Sequence, residues 1–136
     1  MLTLTIVLDS NEYIFGLSEQ LKPSTSLLKN LSGCIIKLPR FILDELHDNL
    51  EEILLKKLYR LINNAKIEII EEQIPAFLIE KYQKQLPAED AVIAGYCELL
   101  KVDVLISENR HFLVDFHPKA FKILDAQNFL NIYMEK

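Results

Sequence analysis

Two kinds of hydrophobic pattern take turns along this chain: short blocks in which successive residues are all apolar, and longer stretches in which apolar residues return every three or four positions. The short blocks Thr3–Leu8 and Val104–Ser107 are rich in β-branched residues and read as strands buried on both faces. Cys34–Leu38 (CIIKL), Ile67–Ile70 (IEII) and Phe121–Leu124 (FKIL) add three more. Between them the spacing predicts helices over Ser24–Leu31, Arg40–Asn64, Pro75–Gln85, Ala88–Leu100 and Ala126–Met134, several with a proline or a hydroxyl or Asp cap at the start. Alternation of this kind predicts one α/β domain over residues 1–136, with a mainly parallel central sheet of about five strands flanked by helices.

The first strand runs straight into a carboxylate, IVLDSN, and then into helix-forming residues. Asp9 can cap that helix, with Glu12 three residues on completing a capping-box-like pair. A second reading comes from the fold class, because open parallel sheets bind ligands beyond the carboxyl ends of their strands. Asp9 occupies that edge after the first strand, and Ser107, Glu108 and Asn109 occupy it after VDVLIS.

Two helices carry carboxylates on apolar faces. At about 100° per residue, with Phe41 as reference, Ile42 lies about 100° round, Leu46 about 140° and Glu45 about 40°, inside the apolar sector. Asp44 and Asp48 fall outside it and read as solvated charges. In PAEDAVIAGYCELL, Ile93, Ala94 and Cys97 lie within about 60° of Asp90, so that Asp90 faces the core, whereas Glu89 faces elsewhere and suits the first turn of a helix. A buried carboxylate is expensive without a cation, a proton or a metal. No Lys or Arg stands three or four residues after Glu45 or Asp90.

Composition narrows the function. Half of the residues are apolar, and the net charge is −5, which disfavours tight, sequence-independent binding to phosphate backbones; divalent cations would offset that charge locally at a carboxylate cluster. The longest apolar runs are far shorter than the roughly 18 residues of a spanning helix. With no signal-peptide pattern, the expectation is a cytoplasmic protein with no membrane partner. Cys34 and Cys97 lie in apolar segments without metal-type spacing and read as reduced core residues.

These residues resemble the PIN domain, a family of small metal-dependent ribonucleases that includes many toxins of bacterial toxin–antitoxin pairs. The resemblance rests on IVLDSN for the D-[TS]-N strand end, on Glu45 in FILDEL, on Asp90 opening AEDAVIAGYCELLKVDVLIS, and on SENRHF for the [TS]-x-[DN]-x-x-F motif, with Ser107, Asn109 and Phe112 in place. It implies a Rossmann-like sandwich that gathers Asp9, Glu45, Asp90 and Asn109 at one edge. It further implies Mg²⁺ or Mn²⁺ as cofactor, RNA as substrate, a cognate antitoxin and a homodimer. Oxygen-only ligands suit such hard cations. In this reading Asp9 and Asp90 are the main ligands, and Glu45 binds the metal or acts as base. Ser10, Asn11, Ser107 and Asn109 orient waters or neighbouring carboxylates, Asn109 also being a candidate ligand, and Arg110 contacts substrate. The family often has a fourth Asp where this chain has Asn109; an amide supplies no charge, which puts a second metal in doubt and leaves a catalytically weak or inactive nucleic-acid or protein binding module as the alternative. Receiver domains and haloacid dehalogenase-like phosphatases fit less well, since the chain lacks their second acid beside or two residues after Asp9. His47, His111 and His117 have no ligand spacing and read as structural or surface residues, although His111 follows the proposed site directly. Lys56, Lys57 and Arg60 read as a solvated helix face.

Overall fold

In the computed structural model, which describes residues 3–134, five strands form one sheet. They are β1 (Thr5–Leu8), β2 (Ile35–Pro39), β3 (Glu68–Ile70), β4 (Val104–Ile106) and β5 (Lys122–Leu124). Every pairing is parallel and the order is β3-β2-β1-β4-β5. The expected sheet is therefore present and wholly rather than mainly parallel. Burial explains its sequence pattern: Ile6, Val7, Leu8, Leu105 and Ile106 are fully buried, as central strands covered on both faces must be.

The helices are α1 (Ser10–Leu17), α2 (Lys22–Leu28), α3 (Arg40–Asn49), α4 (Glu52–Ala65), α5 (Ala76–Gln83), α6 (Ala88–Leu99), α7 (Arg110–Leu113) and α8 (Ala126–Phe129). α1 packs on α2 and α3, and α5 on α6. The α1–α2 contact is close because residue 16 is glycine: a Cβ there would sit 2.8 Å from the Ser24 carbonyl oxygen and 2.5 Å from Leu28 Cδ1. Such a distance admits no side chain.

Three expectations need correction. The stretch Arg40–Asn64 is two helices, broken where Leu50 and Glu51 are extended. Leu50 is buried and the Asn49 amide donates to the Glu45 carbonyl oxygen, a side-chain bond of the kind that competes with a helix. The stretch Ala126–Met134 begins as α8 and continues as a π-helical turn over Leu130–Met134. The capping box also fails, in its second half. Asp9 does cap α1, its Oδ1 accepting from the Ser10 N–H at 2.8 Å. Glu12 does not reach back, because the Asp9 N–H already donates to the Ile106 carbonyl oxygen in the sheet, at 2.9 Å.

The strand order places a functional edge. From β1 the chain crosses to β2 on one side, and later to β4 on the other. The crevice between the carboxyl ends of β1 and β4 is a topological switch point, where sheets of this type bind ligands. Asp9 and Ser107 are the first residues beyond those two ends.

Candidate functional site

Asp9 is 4% exposed, held by its backbone at the end of β1 and by the cap of α1. Its Oδ2 accepts a 2.6 Å hydrogen bond from Ser107 Oγ, which ties the ends of β1 and β4 together. Burial raises its pKa, the Ser107 and Ser10 hydrogen bonds oppose that rise, and the nearby Asp90 adds to it.

Asp90 lies in the first turn of α6 and is also buried. Its Oδ1 accepts from Asn109 Nδ2 at 3.1 Å, and its Oδ2 lies 2.8 Å from His111 Nδ1. Asn109 uses both ends of its amide, since its Oδ1 caps α7 by accepting from the His111 N–H at 2.9 Å. Its backbone N–H donates to Ser107 Oγ at 3.0 Å. Ser107 is thus the hinge of the arrangement: one hydroxyl orients Asp9 and receives the turn that carries Asn109.

Glu45 approaches from α3. Its side chain is partly buried, and its Oε1 is out of contact with water and has no hydrogen-bond partner. Its pKa is pushed up to about 7, first by burial and then by the charges of Asp9, Glu89, Asp90 and Asp48. These electrostatic couplings put Asp9, Glu45 and Asp90 within one another's fields. Asp44 and Asp48, from the same helix, are exposed. Ser10 and Asn11 are half-buried in the first turn of α1, with Asn11 Oδ1 3.5 Å from the Glu108 N–H. Arg110 is exposed at the start of α7.

The donor set fits a hard divalent cation in chemistry: carboxylate oxygens, one of them buried without a partner. Among the described residues no three His, Cys, Asp or Glu side chains are closed around one point. The Asp9 and Asp90 oxygens are engaged by Ser10, Ser107, Asn109 and His111 instead.

Three residues at this edge make contacts that the sequence reading did not assign them. His111 touches Asp90 while most of its side chain remains exposed; it has no ligand spacing because its partner lies 21 residues away. Glu12 is 0% exposed, with Ser24 Oγ donating to its Oε1 at 2.8 Å. Glu108 accepts from the Ala126 N–H through its Oε2 at 2.9 Å, while the second oxygen of Glu12, Oε2, is buried without a hydrogen-bond partner. The face argument applied to Glu45 would have found Glu12, since Phe15 and Gly16 lie within about 60° of it on α1.

A broad groove of about 700 Å³ lies at the other, amino-terminal edge of the sheet, where Cys34 leads into β2. Its polar groups are Lys29, Lys66, Glu68 and neutral side chains, so it lacks convergent acids. Cys34 is partly exposed there, whereas Cys97 is buried in the core.

The five-stranded parallel sheet and its flanking helices form a PIN-like α/β fold, as the sequence resemblance implies. The chain is similar in structure to VapBC2 from Rickettsia felis, solved bound to a DNA fragment from their promoter, with a TM-score of 0.64 and 15% identity over 88% of this chain and 97% of that one. At that identity the likeness is one of fold. No family model and no curated protein matches the chain.

Proposed function

We propose that this chain is a metal-dependent ribonuclease of the PIN-domain type, acting in the cytoplasm as the toxin of a toxin–antitoxin pair. The observation that carries the reading is Glu45: a buried carboxylate oxygen without a partner, set beside Asp9 and Asp90, with no Lys or Arg paired to it among the described residues. Asp9, Asp90 and Glu45 would hold Mg²⁺ or Mn²⁺. That ion would make a water acidic enough to attack and would stabilise the charge of the phosphate in displacement. Glu45 would take the proton of the attacking water. Ser107 and Asn109 hold Asp9 and Asp90 in place, Ser10 supplies the N–H that orients Asp9, and Asn11 supports the turn after β4. Arg110, exposed beside that turn, contacts an RNA phosphate.

The antitoxin partner is supported by the likeness to VapBC2, and a homodimer by the exposed apolar side chains Ile53 and Phe77 on α4 and α5. Among the described residues no helix is long and apolar enough to cross a membrane. The test is cleavage of labelled RNA by the purified chain with Mn²⁺ and with chelator. Cleavage that needs the metal supports the reading. Cleavage that persists in chelator refutes the metal-dependent reading; no cleavage with Mn²⁺ refutes the nuclease and favours a binding module, the role to which Asn109 in place of a fourth acid also points.

A further inference from the structure

Asp90 has no Lys or Arg paired to it among the described residues, and a single short segment after β4 supplies a partner to each of its oxygens. Oδ1 accepts from Asn109 Nδ2 at 3.1 Å, and Oδ2 lies 2.8 Å from His111 Nδ1. A carboxylate oxygen accepts, so the ring nitrogen is the donor. Nδ1 can donate from a neutral ring as well as from a charged one, and the contact does not turn on the charge of His111.

The segment that carries both donors is itself fixed on either side of the ring. Asn109 Oδ1 caps α7 by accepting from the His111 N–H at 2.9 Å, which sets the backbone of His111. Phe112, the next residue, is fully buried and meets the ring of Phe116. The imidazole between these two anchors lies mostly in water and has little packing of its own; the bond to Asp90 is its one polar side-chain contact among the described residues. Two donors from one anchored turn, one on each oxygen, fix both the position and the plane of a carboxylate. Each oxygen keeps a further acceptor site, so the clamp leaves Asp90 able to face a cation.

We infer that His111 is a positioning residue: together with Asn109 it grips the Asp90 carboxylate from α7 and sets the direction in which that carboxylate meets a divalent cation. The inference deepens the proposed function and rests on it for the effect on the metal, but not for the hydrogen bond. Partners that orient a ligating carboxylate commonly change metal affinity about 10–100-fold.

Two measurements on the full chain test it. In chelator at alkaline pH, long-range ¹H–¹⁵N spectra show which nitrogen of the ring carries its hydrogen, a choice set by the hydrogen bond the ring makes. His111 should carry it on Nδ1, and Asp90→Ala should move it to Nε2, the form an unpartnered imidazole favours. In Mn²⁺ titration calorimetry His111→Leu should lose about 10–100-fold in affinity. His111→Asn, whose amide nitrogen falls where Nδ1 does, should keep most of the parental affinity, a distinction that a merely structural role would not make. His111 is mostly exposed, so neither substitution takes packing from the core. A hydrogen on Nε2 in the unsubstituted chain, parental affinity in His111→Leu, or equal losses in the leucine and asparagine variants would overturn the inference. Absence of Mn²⁺ binding by the unsubstituted chain would refute the proposed function and leave the position of the ring hydrogen to judge His111.

Discussion

Glu45 and Glu98 are both partly buried glutamates on helices, and the protein treats them in opposite ways. Glu98, on α6 away from the carboxyl ends of the strands, has Lys81 Nζ at 2.7 Å and the Tyr82 hydroxyl at 2.6 Å, and these hold its pKa below the usual value. Glu45 has one oxygen with no donor and acids around it, and its pKa is raised. A fold that pairs one acid and leaves another unpaired is keeping like charges together at the second place. Active sites are where such arrangements concentrate. The comparison separates a structural carboxylate from a poised one on the same molecule.

The largest expected effect lies in catalysis. Asp9→Asn, Glu45→Gln and Asp90→Asn should each slow Mn²⁺-dependent RNA cleavage at least about a hundredfold, the scale for losing one positioned charged group. Asp44→Asn and Asp48→Asn, exposed on the same helix as Glu45, should change it little. Equal rates for all five variants would leave Asp9 as no more than the cap of α1.

Next comes thermal stability. Millimolar Mn²⁺ should raise the melting temperature of the unsubstituted chain, because a ligand of the folded state alone stabilises it by mass action, and Asp9→Asn should reduce the rise. An unchanged melting curve would break the contrast drawn from Glu45.

A pH series sharpens it. In chelator Glu45 keeps its proton in the folded chain up to about 7, while the unfolded chain gives it up near 4.5. The folded state then binds more protons between these values, and stability falls as pH rises through them. The penalty is absent below that window and complete above it. Glu45→Gln does not carry it, so urea titrations should show the variant gaining on the parent between about pH 5 and about pH 8. Parallel curves would contradict this.

The smallest effect belongs to Glu98. Its depressed pKa gives stability that is present above about 4.5 and lost as pH falls through its folded value. Glu98→Gln should therefore cost about 1 kcal/mol or less at neutral pH, and nothing in acid. A loss that persists unchanged in acid would mean that packing rather than the ion pair is at work.

Much of this was legible in the sequence. The five strands announced themselves because residues covered on both faces must be apolar in succession, and Glu45 and Asp90 stood out because a helix fixes which side chains share a face. What stayed hidden depended on distant partners. Leu50 left the helical path to reach the core, and Asn49 bonded to Glu45 instead of continuing the helix. His111 met Asp90 across 21 residues, and Glu12 met Ser24 across 12. Local periodicity carries no information about such pairs. The strand order, which sets the switch point between β1 and β4, is likewise a property of the assembled sheet.

The central claim is that Asp9, Glu45 and Asp90 form a divalent-cation site. Titration of Mn²⁺ into the metal-free chain, followed by calorimetry, tests it most directly. The account predicts saturable binding that survives Asp44→Asn and is lost in the combined Asp9→Asn, Glu45→Gln, Asp90→Asn variant. No binding by the unsubstituted chain at millimolar Mn²⁺, or equal binding by the triple variant, would contradict it.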